Sequence, residues 1–214
     1  MTDTTTDDPW APIIGQPVAV ERLRAATRNP VHAYLFVGPH GAGKRAAAGV
    51  FAGELLAAAH PEGAARHREL AARFAHPDVR VVTPTGSQFR VDESKELVAA
   101  AMRSPMEGSR KVVVAERFHD ANAAAMPPLL KVAEEPPASR IFMFLADELR
   151  PEHVTVASRG TRIDFAPLAV DDLTVALGAE GVVADVAERA AAAAGGSIDR
   201  ARVLATDERL MVRH

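Results

Sequence analysis

The chain has 214 residues, of which 48% are hydrophobic and 25% charged, and its formal net charge is −3 at pH 7. This composition is typical of a globular protein with one large domain or two smaller ones. The balanced charge argues against a protein that coats nucleic acid over its whole surface. The absence of cysteine excludes disulfides and thiolate zinc sites. No apolar run approaches membrane-spanning length and the acidic amino terminus is unlike a signal peptide, so we expect no membrane contact and a cytoplasmic location.

Helical and strand patterns alternate along the first part of the chain. Residues 1–9 are polar and are predicted to form a disordered tail. The elements predicted after them are a helix at Val18–Arg28, a strand at Tyr34–Val37, helices at Ala46–Ala58 and Ala64–Phe74, a strand at Val79–Val82, a helix at Glu93–Met102 with Asp92 as its N-cap, and a strand at Lys111–Ala115.

The second part continues the alternation and then changes to helices alone. The predicted elements are a helix at Ala121–Glu135 with a kink at Pro127 and Pro128, strands at Ile141–Ala146 and Thr161–Phe165, and helices at Val170–Gly178, Val182–Ala194 and Ser197–Ala205. Five strands alternating with helices predict an α/β fold with a doubly wound parallel sheet. We expect this domain over residues 10–166, a small three-helix domain over residues 167–207, and a C-terminal tail over residues 208–214.

The stretch AYLFVGPHGAGKR at residues 33–45 predicts a phosphate-binding loop. It runs from an apolar strand through glycines into a helix, with the spacing G-x-x-x-x-G-K. The predicted nucleotide-binding loop consists of Gly38, Pro39, His40, Gly41, Ala42, Gly43, Lys44 and Arg45. A working P-loop has Ser or Thr after the lysine because that hydroxyl binds Mg²⁺, whereas Arg45 cannot coordinate a cation. The loop is therefore degenerate, and two outcomes stay open: ATP or ADP held without hydrolysis, or no nucleotide at all.

A second degenerate position follows the apolar strand at Lys111–Ala115. P-loop enzymes place a metal-binding carboxylate at the end of this strand, often followed by a glutamate that activates water. Here the two residues are Glu116 and Arg117. Glu116 can replace the metal-binding carboxylate with a longer side chain, while Arg117 reverses the charge of the activating one. We therefore expect no intrinsic ATPase activity.

Three histidines, His60, His67 and His76, lie close together in the sequence. A metal site would need carboxylate or thiolate partners at ligand spacing, and the sequence offers none nearby. We therefore expect three solvent-side histidines beside helix ends and no metal site.

Five motifs give the chain a family resemblance. They are IIGQ at Ile13–Gln16, HAYLF at His32–Phe36, HPDV at His76–Val79, LLKVAEEPP at Leu129–Pro137 and SRG at Ser158–Gly160. Together they resemble bacterial clamp-loader subunits of the AAA+ family, most closely the delta prime type found in DNA polymerase III. The likeness covers about residues 10–206, and the LLK-x-x-EEPP string followed by an SR pair is far more specific than the P-loop alone.

The resemblance implies a subunit of a pentameric ring that opens a sliding clamp and sets it on primed DNA. It implies an AAA+ P-loop domain followed by a helical lid. The implied partners are the gamma/tau and delta subunits of the clamp loader, the sliding clamp, and primer-template DNA through the complex. Delta prime subunits leave hydrolysis to their neighbours and offer the arginine of an SRC motif to a neighbour's nucleotide. Arg159 matches that arginine, so the resemblance implies a catalytic arginine finger acting in trans.

The chain also departs from the family pattern. The four cysteines of the usual zinc module are missing from the shortened segment 52–74, so we expect no zinc and no other required cofactor. Gly160 replaces the cysteine of the SRC motif, and Ala146 and Asp147 replace the usual Thr or Asn that senses the γ-phosphate. The chain ends at His214, where the family's helical collar would begin. We expect either a fragment or a divergent relative.

Two alternatives to a non-hydrolysing subunit stay open. An active clamp-loader ATPase of the gamma/tau type would share the fold, although Arg45 and Arg117 both argue against its chemistry. A stand-alone regulatory or DNA-binding AAA+ relic is favoured by the missing collar.

Overall fold

A computed structural model describes residues 8–136 and 138–206 of the chain. The predicted C-terminal tail and all but two residues of the predicted amino-terminal tail lie outside the described residues. Five parallel strands form one sheet in the order β2-β3-β4-β1-β5: β1 Ala33–Val37, β2 Val79–Val82, β3 Lys111–Ala115, β4 Arg140–Ala146 and β5 Thr161–Asp164. This confirms the predicted α/β fold with a doubly wound parallel sheet.

Helices cover both faces of the sheet and follow it in the chain. They are α1 Pro17–Arg28, α2 Lys44–Ala59, α3 Ala64–Ala72, α4 Val91–Met102, α5 Met126–Glu134, α6 Val154–Ala157, α7 Val170–Ala179, α8 Ala184–Ala193 and α9 Ile198–Thr206. Apart from the first residues of β3 and β4, Lys111 and Arg140, strands β1, β3 and β4 are apolar without alternation because both of their faces are buried. No helix in the described ranges is long and apolar enough to cross a membrane.

Successive residues of one strand enter two separate cores. Tyr34 of β1 packs against α2, with the rings of Tyr34 and Phe51 edge to face at 4.8 Å. The next residue, Leu35, enters the core on the opposite face, which contains Leu97 of α4 and Leu129 of α5. The first of these cores holds α2 against the sheet, next to the carboxyl end of β1 where the P-loop lies.

The last three helices form a third core from leucine, isoleucine and many alanines. Small alanine side chains let the helices approach closely. The backbone N–H of Leu168 donates to the Gly196 carbonyl at 3.0 Å, which joins the connection after β5 to the start of α9. Gly196 has a φ of 80°, and a Cβ on it would lie 2.6 Å from Pro167 Cβ, so glycine is required at this joint.

The region before α5 differs from the predicted kinked helix. Two short 3₁₀ turns at Phe118–Asp120 and Ala123–Ala125 come first, and α5 begins only at Met126. Pro127 and Pro128 therefore lie in the first turn, whose N–H groups have no helical acceptor and lose nothing to proline. The predicted kink was wrong because the prolines start the helix.

The start of α4 also lies earlier than predicted. The helix begins at Val91, so Arg90 and not Asp92 is the N-cap residue. The Glu93 side chain accepts a hydrogen bond from the Arg90 backbone N–H at 2.9 Å, as in a capping box.

Candidate functional site: a degenerate P-loop

The P-loop leaves β1 at the carboxyl edge of the sheet, between β4 and β5. The Gly38 N–H donates to the Ala146 carbonyl at 3.2 Å, and the Phe165 N–H donates to the Val37 carbonyl at 2.7 Å. A Cβ on Gly38 would lie 2.1 Å from the Phe165 carbonyl oxygen, so only glycine fits there. Gly43, with a φ of 88°, turns the loop into α2.

A cavity of about 500 Å³ lies over this loop. Its apolar wall includes Ile13, Leu168 and Ile198, from the amino-terminal segment, the connection after β5, and the start of α9. Its charged side contains Lys44, Arg45, Glu116, Arg117, Asp147, Asp199 and Arg202. The size falls within the range of small-molecule sites.

Lys44 is buried and its ammonium group is fully hydrogen bonded. Nζ lies 2.8 Å from Asp147 Oδ1, 2.5 Å from the Gly38 carbonyl and 2.8 Å from the Pro39 carbonyl. An ammonium group has three N–H donors, so these three acceptors satisfy it. Asp147 directly follows β4, and its own backbone N–H donates to His119 Nδ1 at 3.0 Å.

Arg45 and Glu116 bind each other across the cavity. Arg45 Nε donates to Glu116 Oε1 at 2.5 Å, and the other oxygen of Glu116 accepts from the Thr83 hydroxyl at 2.7 Å. The Arg45 guanidinium also lies over the Phe74 ring, 4.5 Å from its centre. These are the two positions that hold Mg²⁺ in a working P-loop, and a guanidinium beside the carboxylate does not fit a metal ion.

Arg117 lines the cavity but is held by its own neighbours. Its φ of 52° is in the left-handed region, which is uncommon outside glycine. The guanidinium binds Asp120 Oδ2 at 2.6 and 2.8 Å and donates to the Gly86 carbonyl at 2.9 Å. The position at which P-loop enzymes carry the water-activating carboxylate therefore carries a cation fixed in an ion pair, as the sequence indicated.

The helices after β5 contact the P-loop directly. The Ile198 N–H donates to the Gly41 carbonyl at 3.0 Å. His40 lies between two carboxylates, with Nε2 3.7 Å from Asp199 Oδ2 and Nδ1 3.9 Å from Asp147 Oδ2. The sequence placed His40 in the P-loop and Asp147 after a predicted strand, but it did not indicate that the two side chains lie close together.

Arg159 lies apart from this cavity, after α6 and before β5. One arm of its guanidinium binds Glu134 Oε1 at 2.7 Å, and the other donates to the Thr155 carbonyl at 2.6 Å. The next residue, Gly160, touches β1 so closely that a Cβ would lie 2.7 Å from Leu35 Cδ1. The structure thus brings the P-loop residues together with Glu116 and Arg117 and leaves Arg159 elsewhere on the surface.

Two of the three histidines are buried, contrary to the sequence expectation. His67 and His76 are 6% and 2% exposed, while His60 is exposed as expected. His67 Nδ1 lies 2.7 Å from His76 Nε2, and Glu107 Oε2 lies 3.6 Å from the same nitrogen of His76. The carboxylate comes from the loop before β3, too far along the chain for spacing to reveal it.

The hydrogen bonds of this cluster oppose a metal ion. The Asp78 N–H donates to His76 Nδ1 at 2.9 Å, so the proton of the neutral ring is on Nε2 and points at His67. A metal-binding histidine instead donates from its second nitrogen. Glu107 accepts two hydrogen bonds from Arg66, which hold the pKa of its carboxyl below the usual value. Burial, and to a lesser extent the neighbouring His67, lower the pKa of His76.

The five-stranded parallel sheet, the P-loop after β1 and the helices packed on that loop define a P-loop protein of the α/β class. The family model described as DNA polymerase III, delta subunit, matches residues 15–169, and the chain belongs to this family. The resemblance to delta prime subunits that the motifs predicted is confirmed.

Individual proteins agree with this assignment. The chain is 36% identical over 134 residues to DNA polymerase III subunit delta' of Pseudomonas aeruginosa, covering 60% of this chain and 41% of that protein. It is 33% identical over 192 residues to DNA polymerase III subunit gamma/tau of Mycobacterium tuberculosis, covering 82% of this chain and 32% of that protein. The chain thus spans less than half the length of these curated relatives. A solved structure of RuvB from Thermotoga maritima shares the fold, with a TM-score of 0.57, 18% identity, and coverage of 94% of this chain and 63% of that one.

Proposed function

We propose that the chain is a non-hydrolysing subunit of a DNA polymerase III clamp loader. It acts in the cytoplasm beside gamma/tau and delta subunits, the sliding clamp and primer-template DNA, and it offers Arg159 to the nucleotide of a neighbouring ATPase. The curated relatives carry the names of such subunits. Because the chain covers less than half of their length, the complex and its activity belong to this proposal.

The ion pair between Arg45 and Glu116 is the observation that carries the non-hydrolysing role. Hydrolysis of ATP needs a metal ion to neutralise charge that develops on the phosphates. In this chain the residue after the P-loop lysine is a cation, and its partner is the carboxylate at the end of β3. Arg117 adds a second cation where an activating carboxylate would be needed.

The role of Arg159 rests on the family motif and on the placement of its side chain. The Arg159 side chain is about one third exposed, and its ion pair with Glu134 is near the surface. An ion pair of this kind contributes little stability, so the guanidinium is available to a phosphate on another subunit.

The test is ATP turnover by a reconstituted complex of this chain with gamma/tau, delta, clamp and primed DNA. Arg159→Ala is expected to reduce turnover at the neighbouring site by roughly 10³-fold or more while the complex still assembles. Lys44→Ala is expected to leave turnover nearly unchanged because this chain does not hydrolyse ATP. Arg162→Ala is the matched control, since Arg162 is also paired near the surface but belongs to β5. Turnover that needs Lys44 and tolerates Arg159→Ala would overturn the proposal.

An active ATPase of the gamma/tau type is the second candidate. The gamma/tau relative from Mycobacterium tuberculosis covers more of this chain than the delta' relative does, and Lys44 is retained. Phosphate release by the purified chain alone separates the two candidates. Robust release that is abolished by Lys44→Ala would favour the ATPase.

A further inference from the structure

The charged groups of the cavity over the P-loop are already paired with one another. Lys44 binds Asp147 and Arg45 binds Glu116. In an AAA+ ATPase these positions contact the phosphates and the metal of a bound nucleotide, yet here each cation has a carboxylate partner from the same chain.

We propose that this chain supplies from its own side chains the charges that a magnesium nucleotide supplies elsewhere. The Arg45 guanidinium takes the place of the metal ion, and the Asp147 carboxylate takes the place of the terminal phosphate. The helices α7–α9 therefore dock on the P-loop without nucleotide. The proposal concerns the isolated chain and does not depend on what Arg159 does in a complex.

Lys44 shows why a phosphate would have to compete with protein atoms. All three donors of its ammonium group are used, by Asp147 and by the carbonyls of Gly38 and Pro39. A phosphate that approached Nζ would break these bonds and would lie next to a carboxylate. Like charges at such short range, in a partly buried site, repel each other.

Glu116 gives the corresponding argument for the metal ion. Its two oxygens accept hydrogen bonds from Arg45 and Thr83. A divalent cation binding there would meet the positive charge of a guanidinium that also stacks on Phe74. Arg45 completes the charge balance of Glu116 without a metal ion.

Direct contacts also replace a ligand between the P-loop and the helices after β5. The Ile198 N–H binds the Gly41 carbonyl, and His40 lies between Asp147 and Asp199. The cavity remains open, but these contacts connect the P-loop to the start of α9 through protein atoms alone.

Hydrogen exchange of the unmodified chain tests the docking. The amide of Ile198 donates to Gly41, so its protection reports whether α9 stays on the P-loop. We expect this amide to be protected without nucleotide and to show the same protection with ADP or ATP, with or without Mg²⁺. Protection that appears only after nucleotide is added would overturn the proposal.

Calorimetric titration with ADP and with ATP tests the role of Asp147. The unmodified chain is expected to give no binding heat at millimolar nucleotide. Asp147→Asn keeps the shape but removes the negative charge beside Lys44, so this variant is expected to bind nucleotide at least about tenfold more tightly. Asp185→Asn is the matched control because it removes a carboxylate paired with Arg189 on α8, outside the cavity.

Two results would contradict the role of Asp147. One is micromolar, Mg²⁺-dependent binding of ATP by the unmodified chain. The other is a folded Asp147→Asn variant, with the melting temperature of the control, whose affinity is unchanged. If that variant does not fold, the exchange and titration results for the unmodified chain decide the question alone.

Discussion

Gln16 and Ala166 form a reciprocal pair of hydrogen bonds, although 150 residues separate them in the chain. Gln16 Nε2 donates to the Ala166 carbonyl at 2.6 Å, and the Ala166 N–H donates back to Oε1 at 3.1 Å. The same Nε2 donates to the carbonyl of Ala42 in the P-loop at 3.1 Å. One buried amide thus connects the segment before α1, the P-loop and the connection that leads to α7.

Gln16→Ala is expected to lower the free energy of unfolding by about 1–3 kcal/mol, because it leaves buried backbone groups without partners. Urea denaturation measures the change. Gln88→Ala is the control, since Gln88 is exposed and its truncation is expected to cost no more than about 0.5 kcal/mol. Equal effects of the two substitutions would mean that the Gln16 bonds contribute nothing beyond side-chain packing.

Restoring hydrolysis is expected to need three changes together. Arg45→Thr returns a metal-binding hydroxyl, Arg117→Glu returns an activating carboxylate, and Asp147→Asn removes the negative charge that would repel a phosphate at Lys44. These groups serve one transition state, so each single substitution is expected to give no turnover. The triple variant is expected to show weak, Mg²⁺-dependent release of phosphate. Adding Lys44→Ala to the triple variant should abolish that release. A single variant that is as active as the triple variant would show that the other two residues do not limit hydrolysis.

Stability is expected to fall as the pH is lowered from about 7 towards 5, in part because of His76. Burial lowers the pKa of His76 below its ordinary value near 6.5, so the folded ring stays neutral while the unfolded one takes up a proton. The stabilisation is present above the unfolded pKa and is lost as the pH falls through the window below it. His67, Asp78, Glu107 and Arg66 surround the ring and modulate this window.

Urea denaturation between pH 7.5 and 5.5 measures this contribution. His76→Asn keeps an acceptor for the Asp78 N–H and removes the titrating group, so its stability should depend less on pH. His60→Asn is the control, because it makes the same substitution at an exposed histidine. A slope that is the same for both variants would assign the pH dependence to other groups.

Gly160→Ala is expected to destabilise the fold by about 1–3 kcal/mol, because a Cβ there would overlap Leu35 and approach the Ala33 carbonyl oxygen to 3.1 Å. Thermal denaturation measures the loss. Gly178→Ala provides a matched comparison: Gly178 is exposed in α7 and has open space, so alanine is expected to stabilise by up to about 1 kcal/mol. A stable Gly160→Ala variant would mean that β1 and the segment after α6 can separate at low cost.

The sheet could be predicted because its strands are short, apolar and bounded by turn residues. The runs YLFV, KVVVA and IFMFLA are buried on both faces, which needs no information from distant residues. The start of α5 could not be fixed in this way. Two prolines are compatible with a kink or with a helix start, and only the preceding 3₁₀ turns decide between them.

The paired charges of the site were beyond sequence reasoning for a different reason. Arg45 and Glu116 were each recognised as departures, but their ion pair depends on the distance between α2 and the end of β3. The same is true of Lys44 and Asp147, which are 103 residues apart. His67 and His76 were expected in solvent because no local pattern indicated that α3 packs on the loop before β3.

The contact between Gly41 and Ser197 limits the substitutions that these two positions can accept during evolution. A Cβ on Gly41 would lie 1.9 Å from Ser197 Oγ, so the loop and the start of α9 leave no room for even one more carbon atom. Any larger residue at position 41 requires a smaller one at position 197 or a shift of α9. We therefore expect these two positions to vary together among homologues, so that loop and helices are inherited as a matched pair and chimeras that exchange one without the other fold poorly.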